Sequence, residues 1–448
     1  MMNPSIFREY DIRGLADSDL NDENVMLFAR GVGTYLRNNG QTRLFVGRDM
    51  RISSPRIADI LIEGLNETGC DVIDIGMVPT PVLYFALFNY DMGNGIMITA
   101  SHNPKEFNGF KVALNKATIY GQDIQNLREL IDSEKFASGK GTSVKKDIVP
   151  DYVNRVTESL EVKRGLRVAV DTGNGACGPV LENILEKLGL NYRILYKEPD
   201  GNFPNHIPDP VVPEHITELI NTVAQDGFTC GIGFDGDGDR IGALDENGKI
   251  IWGDVLLAIY AEELLTRRPG AKVIFEVKCS KGLIERIGEL GGVPIMYKTG
   301  HSLIKAKMKM ENAPLAGEMS GHIFFADRYY GYDDAIYAAL RLLEILSRGE
   351  KLSDLASRVP KYYSTPEIRI DTTDAAKFKI VEQLKSFFKR SYRVIDIDGV
   401  RVDFDDGWGL VRASNTQPAL VLRFEARTKE RLEEIRKLFF DRLDEYVK

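Results

Sequence analysis

The sequence predicts an α/β protein: three related α/β domains with mixed, mostly parallel sheets, then a smaller C-terminal α+β domain. Three observations predict it. A strand–helix–strand unit recurs three times along the 448 residues. The copies lie roughly a hundred residues apart, far beyond the period of a solenoid. From about Pro366 the pattern changes to two helices among several strands.

The first copy is RLFVGRDMRISSPRIADILIEGLNETGCDVIDIG (43–76). Leu44–Val46 is an apolar strand. Ser54 reads as an N-cap with Pro55 at the first helical position. Ile57, Ile60, Leu61 and Leu65 follow at helical spacing, Gly69 closes the helix, and Val72–Ile75 is the next strand. LRVAVDTGNGACGPVLENILEKLGLNYRILYKE (166–198) and AKVIFEVKCSKGLIERIGELGGVPIMYKTGH (271–301) repeat the order. Units of this length imply parallel strands joined by right-handed crossovers. The last part reads as strand (367–370), helix (375–388), strands within 392–404, 409–412 and 419–424, and a charged helix (429–446). The expected domains are 1–148, 149–249, 250–362 and 363–448, with GKGTSVKKD (139–147) at the first join.

Composition narrows the function. With 58 Lys and Arg against 66 Asp and Glu, the formal charge is −8, which argues against a nucleic-acid partner. A site for an anionic substrate must therefore be built locally. Four cysteines without a CxxC pair read as free thiols of a cytoplasmic protein. No apolar run is long enough to span a bilayer, and Arg8, Glu9 and Asp11 interrupt any signal-peptide shape, so no membrane partner is expected.

In open parallel sheets, ligands gather beyond the carboxyl ends of the strands. Four such loops hold small residues beside clustered polar ones: TASHNP after Ile96–Ile98, DGDGDR after Gly231–Phe234, KTGH after Pro294–Tyr297 and GEMSGH after Pro314–Ala316. In DGDGDR, Asp235, Asp237 and Asp239 alternate with glycines, so three carboxylates converge on one cation of the Mg²⁺ type. A calcium loop of EF-hand type is a rival, but Arg240 stands where that loop needs glycine, and the flanks are strand-like. A plain acidic turn is the other alternative, with Arg240 as the sole counter-charge. In TASHNP, an apolar strand ends at Ser101, His102 and Asn103. A turn stopped by Pro104 explains it equally well. A hydrolase elbow would need G-x-S-x-G, which is absent. A serine together with a metal loop suggests phosphoryl chemistry. GEMSGH offers Glu318, Ser320 and His322 on a glycine-flanked loop; a carboxylate plus a hydroxyl suits adjacent sugar hydroxyls, and an ordinary loop explains the motif as well. RASNTQP offers Arg412 and small polar groups, the inventory of a phosphate cradle or of a polar hairpin turn.

TASHNP, DGDGDR, GEMSGH and RASNTQP, in this order along the chain, with FREYDIRG (7–14) and FPNHIPDP (203–210), resemble the signature segments of the α-D-phosphohexomutases, in the phosphomannomutase/phosphoglucomutase branch. The likeness runs from Phe7 to Pro418. It implies that Ser101 carries a phosphoryl group and that Asp235, Asp237 and Asp239 hold Mg²⁺, with a phosphoserine oxygen of Ser101 as a further ligand. A hexose 1-phosphate becomes a hexose 1,6-bisphosphate, which turns end for end and returns a phosphoryl group to Ser101. The same bisphosphate would be the activator. Glu318 and Ser320 would grip O3 and O4, beside His322. Arg412, Ser414, Asn415 and Thr416 would hold the non-reacting phosphate. Arg13, Lys111, His102, Lys278 and His301 match positions around the transferring phosphate, and Arg240 lies beside the metal. Lys111, His301 and His102 all remain candidates for the general base. Tyr10 either orders the site or serves as a core or hinge tyrosine. The expected partners are small hexose phosphates, and the expected state is a monomer or small homo-oligomer. Met319 favours mannose and glucose, since the phosphoglucosamine branch tends to have Gln there. A phosphoglucosamine mutase, a non-catalytic sugar-phosphate-binding protein and a phosphatase are the alternatives. A hinge is expected between Pro360 and Pro366.

Overall fold

A computed structural model describes residues 2–163, 165–415 and 418–446. The chain forms two compact units, Met1–Gly253 with Ser320–Leu355, and Asp254–Met319 with Ala356–Lys448.

The first unit holds two mixed sheets. One runs in the order Ile12–Leu15, Phe107–Leu114, Gly95–Ile98, Arg43–Arg48, Asp71–Met77, Ser143–Lys145. Its first two pairings are antiparallel and its last three parallel. The other runs Ile250–Ile251, Ile241–Leu244, Cys230–Phe234, Arg167–Asp171, Asn191–Leu195, and is parallel over its last three strands. The helix Asp22–Asn38 places Val25, Phe28, Val32 and Leu36 on one buried stripe, and Phe28 stacks on Phe110 of the sheet at 4.0 Å. Helix Ala335–Leu346 is buried on every side, in keeping with its run of apolar residues.

One expectation fails locally. Ser54 is not the N-cap: the helix Ser54–Glu67 is preceded by Ser53, whose side chain makes no capping bond. The Ser54 hydroxyl instead donates to Asp49 Oδ1 at 2.6 Å, and its oxygen accepts from Asn108 Nδ2 at 3.0 Å in place of a helix amide. The EF-hand alternative also fails. Residues 235–240 join two antiparallel strands, Cys230–Phe234 and Ile241–Leu244, not two helices.

In the second unit, the strands Val293–Tyr297, Lys272–Glu276 and Leu315–Gly317 pair in parallel. The C-terminal part forms an antiparallel sheet in which Ala419–Ala426 pairs with Tyr363–Ser364, Ile368–Asp371 and Gly407–Ala413. Helices Asp374–Phe388 and Lys429–Leu443 cover one face through Leu384, Phe388 and Phe439, the last packed on Phe424 of the sheet. This is the expected α+β arrangement. All four cysteines are buried free thiols. Among the described residues, no helix is long and apolar enough to cross a membrane.

Candidate active site

The strand Gly95–Ile98 is fully buried and ends at Thr99 and Ala100. Ser101 then adopts φ +52°, a left-handed conformation that costs a non-glycine residue energy and marks a constrained turn. Thr99 Oγ1 accepts the Ser101 amide at 2.9 Å. The Ser101 side chain donates to Asp235 Oδ2 at 2.6 Å and lies 3.0 Å from His102 Nδ1. Desolvation, reinforced by the guanidiniums of Arg240 and Arg13, holds His102 well below the usual imidazole pKa, so this ring is neutral. Arg13, on the edge strand Ile12–Leu15, donates to Asn103 Oδ1 at 2.7 Å and pairs with Asp11 at 2.7 Å. Tyr10 sits half-buried in the bend before that strand.

Asp235, Asp237 and Asp239 are fully buried, with ligand atoms within 4.8 Å of one another. The tight turn that gathers them needs Gly238 at φ +76°. Asp235 Oδ1 accepts the amides of Gly238, Asp239 and Arg240 at 3.0, 3.1 and 3.1 Å, which fixes its orientation. Burial, then the neighbouring carboxylates, push the Asp235 pKa up. Lys111 Nζ donates to Asp237 Oδ2 at 2.9 Å and to Asp239 Oδ2. Burial alone would discharge this lysine, but the two aspartates outweigh it and hold its pKa well above the usual value. Asp237 Oδ1 and Asp239 Oδ1 are buried without a hydrogen-bond partner. Three hard carboxylate donors with two spare inward oxygens fit a divalent cation.

His322 Nε2 accepts from Arg240 Nε at 3.1 Å. The ring proton therefore belongs on Nδ1, which faces Asp333 Oδ2 at 3.3 Å and Asp239 Oδ1 at 3.7 Å. Arg240 is thus tied to the acidic cluster through His322. Asp239, His322 and Asp333 lie close together as well, but with Nε2 taken by Arg240 and Nδ1 protonated the His322 ring offers a cation no lone pair. Ser320 is half-buried in the turn just before.

The remaining predicted residues belong to the second unit. Glu318 is buried and accepts the Gly300 amide at 2.6 Å, immediately before His301, the buried first residue of helix His301–Glu311. Lys278 lies between Glu276 at 3.6 Å and Glu367 at 3.2 Å. Burial lowers its pKa less than these two carboxylates raise it. Arg412 Nε donates to Asp398 Oδ2 at 3.0 Å. Ser414 is buried and Asn415 half-buried. Thr416, also expected here, lies outside the described residues.

Several supporting residues escaped the sequence reading. Glu276 accepts the Met319 amide at 3.2 Å and the Thr299 hydroxyl at 2.5 Å, so one carboxylate ties together two predicted loops. Asp398 Oδ2 is shared by the Thr299 amide and Arg412, each at 3.0 Å. Thr80 donates to Asp237 Oδ2 at 2.7 Å. Glu276 stands at the end of an apolar strand, where the search after strands could have found it. Asp398 and Thr80 carry no such signal.

Four family descriptions match the chain in succession. They are the phosphoglucomutase/phosphomannomutase alpha/beta/alpha domains I over residues 4–138, II over 150–248 and III over 252–363, and the C-terminal domain over 367–442. A phosphomannomutase/phosphoglucomutase of Pseudomonas aeruginosa is 47% identical over 441 residues, covering 98% of this chain and 95% of that protein. A phosphoglucomutase of Neisseria meningitidis is 42% identical over 439 residues, covering 97% and 95%. The crystal structure of a phosphoglucomutase/phosphomannomutase family protein from Burkholderia thailandensis superposes with a TM-score of 0.94 at 42% identity, covering 100% of this chain and 98% of that one.

Proposed function

The chain belongs to the phosphoglucomutase/phosphomannomutase family, and from that premise we propose that it interconverts hexose 1-phosphates and hexose 6-phosphates of glucose and mannose through a phosphoserine at Ser101. The observation that carries this reading is the Ser101 hydroxyl, held on a left-handed turn 2.6 Å from Asp235 of a buried acidic triad.

In the first half-reaction, O6 of the sugar attacks the phosphorus on Ser101. The O6–P bond forms, the Oγ–P bond breaks, the O6 proton passes to a base, and Oγ takes up a proton. After the bisphosphate turns end for end, Oγ gives up its proton and attacks the phosphorus on O1, the Oγ–P bond forms, the O1–P bond breaks, and O1 takes up a proton. Phosphoryl transfer of this kind depends on positioning and charge stabilisation. Asp235, Asp237 and Asp239 would hold Mg²⁺, joined by a phosphoserine oxygen. When bound, the cation offsets charge on the transferring group. Lys111, held cationic, supports charge stabilisation more than proton abstraction. His102, held neutral 3.0 Å from Oγ, supports proton exchange at that oxygen. Arg13 and Arg240 add positive charge on the same side of the unit. In the second unit, Glu318 is suited to the sugar hydroxyls, and Arg412 with Ser414 and Asn415 to the non-reacting phosphate, while His301 and Lys278 stay candidates beside the transferring one. A hexose 1,6-bisphosphate would prime Ser101.

The test supplies Mg²⁺ and trace hexose 1,6-bisphosphate with glucose 1-phosphate, mannose 1-phosphate or glucosamine 1-phosphate, and follows 6-phosphate formation. We expect comparable kcat/KM for glucose and mannose, both well above glucosamine, and no turnover by Ser101→Ala. A preference for glucosamine would reassign the substrate. Full activity of Ser101→Ala would remove the phosphoserine from the mechanism.

A further inference from the structure

Arg51 lies in GRDMR, directly after the strand Arg43–Arg48, and is completely buried. That strand is the parallel neighbour of Gly95–Ile98, so Arg51 and Ser101 emerge from the same end of the sheet. The Asp49 amide bonds Ile98 O at 2.9 Å, which holds the two chain ends together where the ladder stops.

All five N–H donors of the guanidinium are used. Nε donates to Asp49 Oδ2 at 3.2 Å. One terminal nitrogen donates to Pro104 O and Phe107 O at 2.7 and 2.9 Å, and the other to Ser101 O and Asn103 O at 2.8 and 2.7 Å. Four carbonyls of one seven-residue turn thus converge on a single side chain. The other oxygen of Asp49 accepts the Arg51 amide at 3.0 Å and the Ser54 hydroxyl at 2.6 Å, and Ser54 Oγ accepts from Asn108 Nδ2 at 3.0 Å. The ion pair is therefore anchored from both ends.

A cover comes from the FPNHIPDP segment, whose place in the function was otherwise unexplained. The Phe203 ring lies 5.3 Å from the guanidinium carbon and packs with Met50 and Ala176. Gly201 sits so close that a Cβ there would fall 2.7 Å from Met50 O and 2.8 Å from Arg51 Cα.

We propose that Arg51, covered by Phe203, is the positioning residue of the phosphoryl-carrying serine. Its guanidinium substitutes for the missing sheet ladder and holds Ser101 in the left-handed turn that aims Oγ. The serine must give up and recover a phosphoryl group in every cycle with the sugar in opposite orientations, so Oγ needs one fixed location for both transfers. Lysine cannot perform this task, because an ammonium has three donors and no planar fork. The inference rests on the phosphoserine reading of Ser101.

The test compares wild type, Arg51→Lys, Phe203→Leu and Ser101→Ala, all as full-length protein. Four quantities are read: kcat and KM for glucose 1-phosphate, the single-turnover rate of enzyme phosphorylation by labelled glucose 1,6-bisphosphate, and the melting temperature. A displaced nucleophile is expected to lower kcat and the phosphorylation rate about a hundredfold in folded Arg51→Lys, with KM changed less than about threefold. Phe203→Leu is expected to lower the phosphorylation rate several-fold with the same constancy of KM. A merely structural Arg51 would lower the melting temperature but leave the rates per folded enzyme unchanged, and that result overturns the proposal. If Arg51→Lys does not fold, Phe203→Leu decides: an unchanged phosphorylation rate overturns the inference, and a reduced one supports it. Labelling of Ser101→Ala would instead refute the phosphoserine reading itself.

Discussion

Lys111 reaches Asp237 and Asp239 from a core strand, and the three groups form a buried ion cluster with one cation for two carboxylates. Removing one partner of such a cluster leaves unpaired charge inside the protein. Lys111→Met is expected to cost about 3–5 kcal/mol of stability, read by urea unfolding in chelator. Millimolar Mg²⁺ should restore part of that loss in the variant, since a cation at the carboxylates replaces the missing charge. Unchanged stability would show the aspartates to be protonated. At this scale the sequence was informative where the signal was local. The alternation of aspartate with glycine marked the triad, and the abrupt end of Ile96–Ile98 marked Ser101. Arg51 also follows a strand, but nothing near it in the chain announces four carbonyl partners some fifty residues away.

Among the elements, helix Ala335–Leu346 shows how a cap can carry a pH response. Its N-cap Asp334 accepts the Tyr337 amide at 2.8 Å, the Tyr329 hydroxyl at 2.8 Å and the Tyr152 hydroxyl at 3.0 Å. Burial raises its pKa from 3.8 to about 6, against the pull of these hydrogen bonds. A carboxyl whose folded pKa is raised binds its proton more tightly in the native state. The stability this contributes is fully present below the unfolded pKa and is lost as pH rises through the folded one. Between about pH 4 and about pH 6, this group should reduce stability by on the order of 3 kcal/mol. Asp334→Asn should flatten that slope in urea unfolding followed over the same range, and a persisting slope would assign it to another group. The elements themselves were largely legible, since apolar periodicity and turn residues are local properties. Ser54 departs from the expected cap because its oxygen accepts from Asn108, a residue that only the fold brings near.

For the whole molecule, the second unit bears on the hinge expected between Pro360 and Pro366. Tyr363 and Ser364 pair with Ala426 and Glu425, so they move with the C-terminal sheet. Lys361 and Tyr362 remain as irregular chain. The same sheet grips the Lys278 loop, with Arg401 donating to Val277 O at 2.5 Å and Cys279 O at 3.1 Å. Trp408 stacks on Arg401 at 4.0 Å. Opening about 360–362 must strain these bonds, so ligand binding is expected to slow amide exchange at 361–362 and at 277–279 together. Equal exchange with and without glucose 1,6-bisphosphate would rule the hinge out.

The sequence by itself determined the fold class, the order of the elements and the four polar loops, because apolar periods, glycines and strand ends act over a few residues. The tertiary structure alone decided what holds those loops: Arg51 beneath Ser101, His322 between Arg240 and Asp333, Glu276 and Asp398 bridging loops. Such contacts join residues from 11 to 99 positions apart. They arise only once burial has removed water as the competing partner, and no local pattern encodes them.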